Sequence, residues 1–154
     1  MHVPYYRQET DYTCGAASLQ MALAYLGKYF PQRALVRHLK PSVRTGIAAR
    51  NMIRFAKAQG FHCYTKYNAT LRDIKHFLKI KLPVIVGFIE PLGNEGHYAV
   101  VTRIKENNII LHDPWNGKDF VMSISAFRKR WFDYDPHRPR WMMVISKDEI
   151  KKKK

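Results

Sequence analysis

The sequence predicts an α+β domain. Three observations carry that reading: helical patterns fill the first half, the period changes to that of strands from residue 82 onward, and no Pro/Gly/Ser-rich linker divides the chain. A chain of 154 residues fits one domain. A domain of that size buries roughly 68–70% of the surface its unfolded chain exposes, so it needs no disulfide staple. The domain is placed at residues 1–146, with 147–154 as a basic, solvated tail.

The elements follow in order. Residues 15–26 (GAASLQMALAYL) are rich in Ala, Leu and Met and stop at Gly27, a natural helix C-cap. Residues 31–39 read as a short helix with Pro31 at its start. In 47–59, Ile47, Met52, Ile53, Phe55 and Ala56 recur at helical spacing before Gly60. His62 and Cys63 fall in a short strand. Residues 70–79 open with Thr70-Leu71-Arg72-Asp73, the spacing of an N-cap and its acidic N3 partner.

Residues 83–89 are apolar and β-branched, as a buried strand requires. Residues 97–104 form a second strand, Glu106-Asn107-Asn108 a turn, and 109–112 the return strand. Asp113-Pro114-Trp115-Asn116-Gly117 has strong turn chemistry. A short strand at 119–122, a helix at 125–131 and a closing strand at 141–146 complete the chain.

Charge and cysteine content bound the function. The net charge is +15, from 27 Lys and Arg against 12 Asp and Glu. Such a field attracts anions such as nucleic acid, anionic lipid or an acidic peptide, but no arginine-rich stripe marks one helix. A solvated basic surface is the plainer reading. Two cysteines, Cys14 and Cys63, make no disulfide framework. The start of the chain lacks the basic and apolar regions of a signal peptide, and no apolar run is long enough to span a bilayer. A cytoplasmic protein is expected.

Cys14 stands at a helix start, where unpaired backbone N–H groups and the helix dipole favour a thiolate. Gly15 and Ala16 are read as leaving room for a substrate or oxyanion. His97 opens a strand, and Asp113 follows sixteen positions later, after the next strand. Antiparallel pairing would set residue 97 beside 112 or 113. An Asp beside a His fixes its tautomer and stabilises the imidazolium. Gln8 lies six positions before Cys14, where its amide can donate to an oxyanion together with the Cys14 N–H.

Gln8, Asp11-Tyr12-Thr13-Cys14-Gly15-Ala16-Ala17, Gly96-His97-Tyr98-Ala99-Val100-Val101 and Asp113-Pro114-Trp115 together resemble the peptidase C39 family and its C39-like relatives, papain-like cysteine peptidases. The resemblance runs from about residue 3 to 146. It implies a helical half facing an antiparallel sheet, with the site in the cleft between. It also implies Cys14 as nucleophile, His97 as base and then acid, Asp113 as orienter and Gln8 as oxyanion donor. The reaction would be peptide hydrolysis through a thioester. Best-known members remove double-glycine leaders and are fused to an exporter with transmembrane and ATPase regions. This sequence has neither a 20-residue apolar span nor GxxxxGK[ST].

No cofactor or metal is expected. Cys14, His97 and Asp113 are zinc-ligand types, but no CxxC or HExxH spacing accompanies them. His38, His76 and His112 are read as surface or hairpin residues, and His62 and Cys63 as pointing apart. Tyr5, Tyr6, Tyr12, Tyr98 and Trp115 line either the cleft or the core. Specificity is assigned to loops at 43–49, 90–96 and 133–139. The expected partner is a peptide or protein substrate, favoured if acidic. The alternatives are a non-catalytic peptide-binding module on the same fold and a basic binder of nucleic acid or an anionic surface.

Overall fold

Alternation along the strands decides how the molecule is layered. In the computed structural model, which describes residues 1–132 and 139–150, six strands form one antiparallel sheet. They are β1 (His62–Lys66), β2 (Val84–Ile89), β3 (Gly96–Lys105), β4 (Asn108–Asp113), β5 (Gly117–Ser123) and β6 (Met142–Ser146), in spatial order β1-β6-β2-β3-β4-β5. Ile85, Val100, Met143 and Ile145 point to one face. Val84, Val86, Val101, Met142 and Val144 point to the other.

Helices cover both faces. Helices α1 (Cys14–Tyr25), α2 (Gln32–Leu39) and α3 (Ala49–Ala58) build the first core with Ile85 and Val100. Helices α4 (Leu71–Lys79) and α5 (Ile124–Arg130) build the second through Ile74, Phe77 and Phe127. The helical half therefore gives α4 to the opposite face, a detail that periodicity alone does not reveal. The sequence limits that move most are the start of the third helix, which begins at Ala49 and leaves Ile47 outside it, and the start of β5, which begins at Gly117.

Helix α1 is the central strut. Its residues from Cys14 through Leu23 are all buried, the polar Ser18 and Gln20 included, so it is enclosed on every side. It has no side-chain N-cap and no acidic residue in its first turn. A missing cap forgoes about 0.5–2 kcal/mol. Burial of Leu19, Met21 and Leu23, roughly 1.5–3 kcal/mol each, outweighs that loss. Helix α4 is the counterexample: Thr70 and Asp73 form the reciprocal capping box that their spacing predicts. The uncapped helix start of α1 is where Cys14 sits.

His112 lies on β4, in the hairpin where the sequence places it, and is buried there, with Nε2 2.8 Å from the Val3 carbonyl and its ring edge-on to Tyr5. The N-terminal segment covers that face of the hairpin, which local pattern does not show. Burial also lowers its pKa, more than the Val3 carbonyl raises it. His38 is exposed and His76 half-buried, each packed on a phenylalanine ring. Ile150, placed by sequence in the tail, packs against the second core.

Candidate active site

Strand register brings the first pair together. Val100 lies opposite His112 across β3 and β4. Continuing that ladder sets Ala99 opposite Asp113, and His97, two residues on and on the same face, stands on the diagonal. The pairing is thus diagonal rather than the direct one the hairpin spacing suggests. His97 Nε2 is 2.6 Å from Asp113 Oδ1. Phe88, paired with His97 across β2 and β3, packs edge-on to the imidazole with centroids 5.9 Å apart.

Asp113 is fully buried, at 0% exposure. Its Oδ1 also accepts from the backbone N–H groups of Trp115 and Asn116, both at 2.9 Å. Its Oδ2 accepts from Asn116 Nδ2 at 3.2 Å. Burial alone would raise the Asp113 pKa, but the His97 hydrogen bond and charge, with those two N–H groups, hold it below the usual carboxylate range.

Helix α1 brings Cys14 to the other side of the ring. With Nε2 committed to Asp113, Nδ1 is the ring nitrogen left for Cys14, whose hydrogen-bonding capacity and charge favour the imidazolium. Tyr98 N–H also points at Cys14 Sγ, 3.5 Å away. Burial disfavours the imidazolium, yet the hydrogen bonds to Asp113 and Cys14 and their charges outweigh it and lift the His97 pKa to about 10. Such a chain of Cys, His and carboxylate can move a proton between sulfur and imidazole while the carboxylate fixes the ring. The imidazole lies between the other two groups, so the three do not converge on one point as metal ligands would.

Gln8 is held beside this chain. Its backbone N–H donates to the Pro114 carbonyl at 3.0 Å, next to Asp113. Its Nε2 donates to the Thr10 carbonyl at 2.7 Å, just ahead of α1. Its Oε1 is buried with no hydrogen-bond partner among the described residues. Gln32 clasps the backbone on both sides: its Oε1 accepts from Glu9 N–H at 2.9 Å, and its Nε2 donates to the Arg7 carbonyl at 3.0 Å.

Gly15 corrects an expectation. A Cβ placed there would lie 3.1 Å from Ile47 Cβ and 3.3 Å from Tyr98 Cδ2. The glycine serves close packing of α1 against those side chains rather than leaving open space. Tyr5, Tyr6 and Tyr98 pack against the first core, while Trp115 is exposed beneath the Arg7 guanidinium. Of the three loops assigned to specificity, residues 133–138 lie outside the described residues. In the sequence Glu90 reads only as the start of the 90–96 loop and Asn116 only as part of a turn. Asn116 Nδ2 lies 3.3 Å from Glu90 Oε2 and so links that buried carboxylate to Asp113. The signal for Asn116 was present in the Asp-Pro-Trp-Asn-Gly turn; Glu90 ahead of Pro91 offered none.

Comparison with known proteins follows the same outline. Residues 2–134 match the model of the Peptidase C39 family. The pediocin PA-1 transport/processing ATP-binding protein PedD of Pediococcus acidilactici is 30% identical over 133 residues, 84% of this chain and 18% of PedD. The chain thus spans less than a fifth of that relative. The peptidase domain of Streptococcus ComA, a bi-functional ABC transporter involved in a quorum sensing pathway, has a similar structure. Its TM-score is 0.79 at 22% identity, covering 96% of this chain and 100% of that one. A double glycine motif protease from an AMS/PCAT transporter, solved with a leader peptide, gives 0.75 at 24%, covering 94% and 91%. Among the described residues of this chain, no helix is long and apolar enough to cross a membrane.

Proposed function

Since the chain belongs to the peptidase C39 family, we propose that it is a cysteine peptidase with Cys14, His97, Asp113 and Gln8 as its working groups. The observation that carries this reading is the His97 ring, bonded through Nε2 to a fully buried Asp113 with Nδ1 left to Cys14. A His97 pKa of about 10 means that the imidazole holds its proton at neutral pH and can give it to a leaving group.

The thiolate attacks the scissile carbonyl carbon. Gln8 Nε2–H and the Cys14 backbone N–H, free at the start of α1, donate to the oxyanion. The imidazolium gives its proton to the leaving amine as the C–N bond breaks, leaving a thioester. The neutral imidazole then takes a proton from water, which attacks the thioester and releases the acid and the thiolate. Asp113 keeps Nε2 protonated throughout, so that Nδ1 alone exchanges protons. The substrate in this reading is a peptide, processed on the cytoplasmic side, where thiols stay reduced. The relative solved with a leader peptide makes paired glycines before the scissile bond the first sequence to offer.

Thiol labelling and cleavage test it together. Iodoacetamide should modify Cys14 well before Cys63, whose thiol burial pushes up to about 11. A peptide library that includes a double-glycine leader should be cut by the chain and left intact by Cys14→Ala. Equal, slow labelling of both thiols, with no peptide cut, would reject the peptidase and leave a binding module on the same fold.

A further inference from the structure

A cavity of about 400 Å³ opens between the N-terminal segment and α2, outside the groups of the proposed reaction. Tyr6 and Tyr29 flank it, Gln20 and Gln32 form its floor, and Arg33 and Arg37 line it one helical turn apart. The floor is unusual. Gln20 is only 3% exposed and accepts from Gln32 through Oε1 at 3.0 Å. Its Nε2 has no hydrogen-bond partner among the described residues and is not a sealed atom, so the amide donor opens onto the cavity.

The electrostatics favour a charged acceptor. From Tyr12 to Arg72 the sequence holds ten Lys and Arg and not one Asp or Glu. Neither Arg33 nor Arg37 has an ion-pair partner among the described residues. Glu9 is the one carboxylate in the lining, and it is exposed. Arg7 also lines the cavity, but its guanidinium lies 5.9 Å from the Trp115 ring centroid.

We infer that this cavity is a second site, which takes a single oxyanion group, a carboxylate or a phosphate, between Gln20 Nε2 and the side chains of Arg33 and Arg37. The same floor holds Gln8: Gln32 clasps the residues on either side of it. The occupant is therefore linked to the segment that carries the oxyanion donor. The site stands on the cavity and its donors alone, and does not depend on Cys14 chemistry.

The test is a titration of the 15N-labelled full chain, following the Gln20 side-chain amide by NMR. Inorganic phosphate is one probe and N-acetyl-glutamate amide the other. Saturation of the Gln20 signal by either probe is the expected result. Arg33→Gln with Arg37→Gln should weaken binding roughly tenfold or more, the loss expected for charge-assisted hydrogen bonds. Arg50→Gln with Arg54→Gln, on α3, should leave it unchanged. Saturation by phosphate alone assigns a free oxyanion; saturation by both assigns a carboxylate that a peptide side chain can supply. A shift that never saturates, or equal weakening in the two arginine pairs, would reduce the cavity to diffuse surface charge and overturn the inference. Gln20→Met, which keeps the bulk without the donor, should weaken binding as well; undiminished affinity there also overturns it.

Discussion

The two flanks of Cys14 are built to different standards. On the sheet side, His97 and Asp113 are buried, and Asp113 accepts from His97, Trp115 and Asn116 at both oxygens. On the other side, Gln8 makes one side-chain hydrogen bond, and its Oε1 is buried without a partner. The difference teaches that, in the proposed reaction, orientation of the base would come from a rigid strand pair, whereas the oxyanion donor would come from a segment clasped through its backbone by Gln32. Such a backbone clasp fixes where Gln8 sits and leaves an Nε2 proton free to meet a charge that exists only during reaction.

Breaking the stronger flank should do most damage. Asp113→Asn brings an NH2 group among donors that need acceptors, so the His97 ring loses its fixed tautomer. Turnover should fall roughly 10³–10⁴-fold, and a melt should show about 1–3 kcal/mol of lost stability from unpaired buried donors. Full activity in that variant would show that the buried carboxylate does not orient the ring. Gln8→Ala should separate rate from stability. We expect kcat to fall roughly 10²–10³-fold, while stability changes by no more than about 1 kcal/mol, because only the Thr10 bond is lost. A large loss of stability with unchanged kcat would make Gln8 a structural residue.

Titration sharpens the comparison further. His97 is raised from about 6.5 to about 10 on folding. Its contribution to stability is then complete below pH about 6.5 and lost as pH rises through about 10. Asp113 is lowered, so its contribution is present above the unfolded carboxylate range and lost as pH falls through its folded value. Stability from the pair should therefore be greatest between the unfolded carboxylate range and pH about 6.5, falling in acid as Asp113 is protonated and in alkali as His97 loses its proton towards pH about 10. The alkaline limb of kcat/KM, set by loss of the His97 proton, should lie near 10 and move down in Asp113→Asn. A limb near 6.5 in the unaltered chain would remove the proposed imidazolium at neutral pH.

These flanks were not equally legible in the sequence. The helix ending at Gly27, the Thr70–Asp73 capping box and the apolar strands were open to local reading, because each rests on neighbours a few positions apart. Cys14, His97, Asp113 and Gln8 were legible as a spaced set. The diagonal geometry of His97 and Asp113 was not, because it depends on a register that shifts between Val101 and Arg103. The burial of His112 under Val3, and the closure of Ile47 and Tyr98 over Gly15, join residues far apart in the chain. No local period encodes them.

The smallest expected effect concerns the link behind the rigid flank. Asn116 Nδ2 lies 3.2 Å from Asp113 Oδ2 and 3.3 Å from Glu90 Oε2, so one amide group separates two buried carboxylates. Glu90 in turn accepts from the backbone N–H groups of Leu92 and Gly93, fixing the loop that leads into β3 and His97. Asn116→Ala removes the amide and keeps the backbone N–H that bonds Asp113 Oδ1. Since one hydrogen bond is worth about 0.5–1.5 kcal/mol, kcat should fall roughly threefold to tenfold with KM unchanged. Asn116→Asp should cost more, because a third carboxylate would replace the donor between the other two. If Asn116→Ala instead matched the loss in Asp113→Asn, the orientation of His97 would belong to the Asn116–Glu90 network rather than to Asp113 alone.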